Sequence, residues 1–493
     1  MFSAILNTDV FMSDQPHFLQ FPLKEKSFTS VFLYVIAVCA AAGWVVLFSV
    51  RAEYGAIVAL VALLLLFITK IEWGIYLIAL AAFFHAWEID FSRYPWAKNV
   101  PYLPSINAPV VDFIALFFLI AVLFAVLLRF RSLRWQRIPR LFPKGIWYSL
   151  FLVIAWISAT TAYEGLSGLS LKYFFRPIVF VYVLYVVLTL ILLQRRAQLE
   201  RVTLFLAWLA VAIAVFGLFG FVQSLFAGGW PRVEPFAVFG IAPLGYNHNM
   251  IAEVLVALLP FSVYMAYREE RRDMKILYMV LSMVVFSTIL LTLSRAAWVV
   301  LFVYSIAILF FFKKELRQHL AVAVSRFLVP LGILIVLSIG YMSVFLGSHV
   351  VASSNSARLV TTQIALFYTK QQPILGYGPG MFIPLLTDTS LFALDFGDAL
   401  DAHGIILKLV IETGIFGMIT MGMFLWTVLH AVYMQAKKNE DVLLTVLFFS
   451  ASGAVMFQLF NTSYFNSHMW FPIGLALAGY QLSKYGDAYA SQE

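Results

Sequence analysis

Residues 347–403 read GSHVVASSNSARLVTTQIALFYTKQQPILGYGPGMFIPLLTDTSLFALDFGDALDAH, and the chain then runs into the apolar stretch GIILKLVIETGIFG at 404–417. This is the only long segment in 493 residues whose polarity bars it from a membrane. On either side, apolar runs recur at roughly the 20-residue length that crosses about 30 Å of hydrocarbon. The chain is 62% hydrophobic and 12% charged, against about 25% charged in soluble domains. Segments of about 10 residues with in/out alternation, the mark of a membrane barrel, are absent. The predicted fold class is therefore an all-α polytopic membrane protein with one long external loop containing short amphipathic helices.

About 14 transmembrane helices are predicted, at 30–50, 55–69, 73–88, 110–128, 146–162, 173–193, 202–226, 248–267, 276–293, 296–312, 326–346, 404–434, 442–461 and 469–483. The run 276–312 is too long for one crossing, and it divides at Leu293-Ser294-Arg295, where a charge is a natural place to turn. The expected organisation is a cytoplasmic tail at 1–27, helices 1–11 within 28–346, the external loop at 347–403, helices 12–14 within 404–483, and a cytoplasmic tail at 484–493. A shorter loop at 89–109 carries Trp96, Pro101, Tyr102, Pro104 and Pro109 and reads as an interfacial turn.

The net charge is +8, but nucleic-acid binding is not the reading it supports. The basic residues fall in short runs between spans, among them Arg129 to Lys144, Arg268 to Lys275 and Lys313 to Arg326. That is the pattern of the positive-inside rule. It assigns those runs to the cytoplasm and 347–403 to the outside, together with Arg176, Arg295 and the loop at 227–247. Cys39 is the single cysteine, so no intrachain disulfide or cysteine-based metal site is expected. Residues 1–27 lack a cleavable signal pattern.

Charges at an external membrane edge must pair or face water, which makes them functional candidates. Arg295, in TLSRAAW, is predicted at the N-terminus of the tenth span, where it adds to the helix dipole. It reads either as an anion ligand or as an arginine snorkelling to lipid headgroups. Arg358 lies early in Ser356–Lys370, predicted as a short amphipathic helix capped by Asn355 or Ser356. Val360, Ile364, Phe367 and Tyr368 share its apolar face, with Arg358, Thr361 and Thr362 opposite. His403, beside Asp401 and Asp398, reads as a general base or as a hydrogen-bonded interfacial residue.

Gly376-Tyr377-Gly378-Pro379-Gly380 lacks the Lys-Ser/Thr of a nucleotide loop and reads as a tight turn letting backbone approach a ligand. Tyr246-Asn247-His248-Asn249 offers amide and imidazole groups before the eighth span. Glu253 and Glu412 are buried carboxylates, the latter with Lys408 four residues before it on the same helix. Arg176, Asn249, Tyr377 and Asp401 complete the candidate substrate- or phosphate-binding set. No metal ligand set and no cofactor are expected.

Four motifs in order resemble the O-antigen ligase and polysaccharide polymerase superfamily of bacterial membrane glycosyltransferases, over roughly 240–420. They are YNHNMIAEVLVALLP; SRAAW; SARLV followed by QPILGYGPGMF; and DAHGIILKLVIETGIFG. One departure stands out: Gly404 follows His403 where the family usually has Asn, which removes a side-chain contact and points to a different acceptor or subfamily. The resemblance implies a C-type glycosyltransferase fold working without metal or nucleotide in the bacterial cytoplasmic membrane, with its site on the external, periplasmic face. It implies a glycan donor on undecaprenyl diphosphate and an acceptor sugar hydroxyl, on another lipid-linked repeat (polymerase) or on lipid A–core (ligase). The span count favours the polymerase. The family's two essential arginines fall on Arg295 and Arg358 and its essential histidine on His403. The competing class is a flippase for lipid-linked oligosaccharide, which calls for paired halves and midplane charges; neither is evident here.

Overall fold

Nearly every regular element is helical, as expected of backbone that must satisfy its own N–H and C=O groups away from water. The computed structural model describes residues 71–84, 88–90, 95, 107–127, 143–165, 168–176, 185–193, 195–226, 231–235, 244–245, 247–311, 332–333, 335–347, 349–389, 404–461 and 467–485. The expected spans at 30–50 and 55–69, the N-terminal tail and Cys39 lie outside the described residues.

The helices are α1 (Ile71–Phe83), α2 (Val110–Leu127), α3 (Lys144–Tyr163), α4 (Gly168–Arg176), α5 (Thr189–Leu192), α6 (Arg196–Phe226), α7 (His248–Arg268), α8 (Arg272–Leu291), α9 (Arg295–Phe311), α10 (Ile335–Leu346), α11 (His349–Gln371), α12 (Phe382–Thr387), α13 (Ile405–Asn439), α14 (Val442–Gln458) and α15 (Ser467–Tyr485). Among the described residues, α3, α6, α7, α8 and α13 are long and apolar enough to cross a membrane.

Helix α7 forms the centre. Ile251 to Phe261 are buried without a break, and α6, α8 and α14 pack around it. A helix apolar on nearly every side belongs in a protein core or in lipid, and here other helices enclose it. Around this core the polarity is inverted relative to a soluble protein. Phe151 on α3, Phe219 on α6, Phe302 on α9 and Trp426 on α13 are all exposed, as side chains facing lipid should be.

Three boundaries depart from the sequence reading. The span expected at 73–88 ends at Phe83, and Glu88–Asp90 (β1) instead pairs antiparallel with Asn107–Pro109 (β2), pinning the ends of the 89–109 loop. The span expected at 173–193 is not one uniform helix. The chain is already helical at Gly168, and α4 is described as far as Arg176; residues 177–184 lie outside the described residues. A π-helical turn at 185–188 then leads into α5.

The third departure is α11, which begins at His349, not at an Asn355 or Ser356 cap. The Ser-Asn-Ser run looks like a cap in sequence, yet the Ser356 hydroxyl donates to the Ala352 carbonyl at 3.0 Å inside the helix. Such back-bonding removes the competition that makes serine prefer a helix end. Val360 and Ile364 turn inward onto Ala365, Phe382, Leu386 and Ile411, whereas Phe367 is exposed. The expected apolar face is thus divided between the protein core and the surface.

Candidate functional site

The division expected at Leu293-Ser294-Arg295 is where α8 gives way to α9. The Thr292 hydroxyl donates back to the Ile289 carbonyl at 2.6 Å, Leu293 takes φ 56, and α9 starts on Arg295. Between them, the Ser294 hydroxyl donates to Asn249 Oδ1 at 2.8 Å. That bond ties the start of α9 to the first turn of α7. Asn247 caps α7 by accepting the Asn249 N–H at 2.9 Å. Two helix N-termini therefore lie together, each with partial positive charge from unpaired backbone N–H groups.

They open into a cavity of about 590 Å³ whose lining includes Arg232, Asn247, Asn249, Arg295, Arg358 and Asn461. Arg295, the first residue of α9, donates from Nη2 to Asn355 Oδ1 of α11 at 3.1 Å. Arg358 follows Asn355 on α11. Its Nε is buried and has no hydrogen-bond partner among the described residues. Burial, and then the nearby charge of Arg295, hold the Arg358 guanidinium below the usual arginine range. It stays charged at neutral pH, but the crowding costs free energy that an incoming anion would relieve. Arg232 adds a third guanidinium, its Nε donating to Glu234 Oε1 at 2.8 Å.

His248 also lines the cavity, and the rest of the wall is apolar, with Val299, Met342, Phe345, Leu346, Val351 and Phe460 among its side chains. Three guanidiniums and two helix ends beside apolar side chains suit an amphiphile with an anionic head.

The glycine-rich turn has a different role. Helix α13 is interrupted at Gly414 (φ 70, ψ −179), which frees backbone groups that a continuous helix would pair. The N–H groups of Tyr377 and Gly378 donate to the carbonyls of Ile411 and Glu412, each at 2.9 Å. Ile415 N–H donates to the Pro373 carbonyl at 2.9 Å, and Trp156 Nε1 to that of Thr413 at 2.7 Å. The Pro-x-x-Gly-x-Gly segment and the Glu-x-Gly-x-x-Gly segment are thus one structural unit. The buried Glu412 carboxylate also accepts the Phe382 N–H at 3.4 Å. Tyr377 stacks edge-to-face on Tyr368 at 5.6 Å and donates to Gln371 Oε1 at 3.1 Å. It does not line the arginine cavity.

The structure brings together Asn249, Arg295 and Arg358 of the expected residues. His403, Asp401 and Asp398 lie outside the described residues, as does the side chain of Arg176, the last described residue of α4. Gly404 has φ +123, and a Cβ there would stand 2.8 Å from the Leu459 carbonyl oxygen. Backbone geometry therefore gives its own reason for glycine after His403, separate from any lost acceptor contact. Phe460 and Asn461, just beyond Leu459, line the cavity.

Sequence reasoning missed Arg232 and Asn461. Arg232 lies in the 227–247 loop outside any of the motifs, and Asn461 stands at the end of the apolar run 442–461. Their place in the site follows from tertiary packing alone.

Residues 277–422 match the family model described as O-antigen ligase, an interval running from within α8 to within α13. It contains Arg295, Arg358, the 376–380 turn, residue 403 and Gly414, and it lies largely within the 240–420 resemblance. No curated protein matches the chain.

Proposed function

From the match of residues 277–422 to the O-antigen ligase family model, we propose that the chain is a membrane glycosyltransferase. It moves a glycan from an undecaprenyl-diphosphate carrier to an acceptor sugar hydroxyl at the external, periplasmic face of the bacterial cytoplasmic membrane. The observation that carries this reading is the convergence of Arg295 and Arg358, from α9 and α11, on one part-apolar cavity at two helix N-termini.

In the reaction the acceptor oxygen attacks the anomeric carbon of the donor sugar. The bond from that carbon to the phosphate oxygen breaks, and the diphosphate departs with the bonding electrons. Negative charge grows on the phosphate, where fixed, always-charged guanidiniums stabilise the transition state most effectively. Arg295 and Arg358 take that role, with Arg232 at the same lining. In this reading the guanidiniums neutralise the charge without a divalent cation. His403 takes the hydroxyl proton; its neighbour Gly404 packs against Leu459, next to the cavity residues Phe460 and Asn461.

The count of about fourteen apolar runs favours another lipid-linked repeat as acceptor, making the enzyme a polymerase, over lipid A–core. Purified protein given lipid-diphosphate-linked repeat, with and without lipid A–core, separates the two. Chain growth without core supports the polymerase, and product only with core makes it a ligase. Flipping of the lipid with no new glycosidic bond would overturn the transferase reading.

A further inference from the structure

Below the cavity lies a buried polar cluster that the reaction as written does not use. Glu253 is one helical turn deeper than Asn249 on α7 and is 1% exposed. Its Oε1 meets Gln458 Nε2 of α14 and His468 Nε2 of α15. Its Oε2 accepts from Asn461 Nδ2 at 2.6 Å. Gln458 and His468 are as fully buried as Glu253, so three elements converge on one carboxylate in the core. Asn461 alone among these partners also reaches the cavity.

This arrangement sets the chemistry of Asn461. A carboxylate oxygen only accepts hydrogen bonds, so the amide must turn its –NH2 toward Glu253. The carbonyl Oδ1 is then the polar atom left for a ligand. Asn249 is oriented the opposite way, because its Oδ1 already accepts from Ser294 and its –NH2 remains to donate. Guanidiniums also only donate. Asn461 Oδ1 thus places a fixed acceptor in a lining whose arginines and Asn249 offer donors. An ionised diphosphate presents acceptors alone and has no use for it. A sugar hydroxyl or acetamido N–H does.

We propose that Asn461 accepts a hydrogen bond from the first sugar attached to the diphosphate, and that Glu253, buttressed by Gln458 and His468, is a positioning residue that holds the Asn461 amide in that orientation. This rests on the lipid-diphosphate reading above and adds to it a contact that recognises carbohydrate rather than phosphate.

The test compares two ligands on the full-length protein in detergent: bare undecaprenyl diphosphate, and undecaprenyl-diphosphate-N-acetylglucosamine. Asn461→Leu should weaken binding of the sugar-bearing lipid about tenfold, the scale of one lost hydrogen bond, and leave the bare lipid unchanged. Glu253→Gln should show the same selective loss to a smaller degree, and adding it to Asn461→Leu should cost little more. Binding of the bare lipid doubles as the folding control. If Glu253→Gln does not fold, the part-exposed Asn461 variant carries the test. Equal loss for both lipids in Asn461→Leu would make the residue a structural prop, and no loss for either would remove it from the site; both results overturn the inference. Failure of the diphosphate reading looks different: Arg358→Ala would then bind bare undecaprenyl diphosphate as the wild type does.

Discussion

Gly376 and Gly414 approach so closely that a Cβ on Gly376 would stand 2.6 Å from the Gly414 backbone nitrogen. A Cβ on Gly414 would stand 1.9 Å from the Ile374 carbonyl oxygen, and both residues take positive φ. The two motif segments are therefore joined through backbone, and the interruption of α13 persists because the turn occupies it. We expect Gly414→Ala to destabilise the protein by several kcal/mol, on the order of 2–4, from strained backbone and overpacking together. Gly422→Ala, on the same helix with open space around it, should be neutral. Thermal melting in detergent compares the two, and equal melting points would refute the structural role assigned to the turn.

Arg295 and Arg358 are proposed to act as shaped donors and not merely as charges. Arg295→Lys and Arg358→Lys should each lower turnover by about 100-fold or more, because an ammonium keeps the charge but loses the planar fork. Melting temperature should change little. Retained turnover in either lysine variant, measured with lipid-linked repeat, would leave simple electrostatics as the better account.

Gly404→Asn installs the residue that the family pattern favours, yet we expect it to lower stability and activity. At φ +123, with the Leu459 oxygen 2.8 Å from the Cβ position, asparagine can keep neither the backbone nor the contact. Improved melting or turnover in Gly404→Asn would show that the side-chain contact matters more than the backbone.

Some of this was legible in the chain. Arg295 and Arg358 stood out because a charge at the edge of an apolar run needs a reason to be there, and the Leu293-Ser294-Arg295 break followed from length. Other features depended on distance in sequence. Glu253 was recognisable as a buried carboxylate, but its partners Gln458, Asn461 and His468 are more than 200 residues away, beyond any local pattern. The start of α11 differs from the expected cap because serine signals a cap even where its hydroxyl bonds back inside a helix, while Asn355 Oδ1 accepts from Arg295. The glycine-rich turn reads in sequence as one that lets backbone approach a ligand; in the structure the N–H groups of Tyr377 and Gly378 serve the interrupted α13.

Arg232 tests whether the third guanidinium belongs to the site. Its substitution by alanine should raise the donor KM about tenfold with a smaller change in kcat, as loss of a charge-assisted contact of about 1.5 kcal/mol implies. A loss confined to kcat, or no change, would place Arg232 outside the donor contact.

The central claim is metal-independent glycosyl transfer driven by guanidinium groups, and purified protein tests it most directly. Turnover of lipid-diphosphate-linked repeat should proceed undiminished in EDTA in the wild type and vanish in Arg358→Ala at unchanged melting temperature. Loss of wild-type turnover in EDTA with recovery on adding Mg²⁺, or normal turnover by Arg358→Ala, would contradict it.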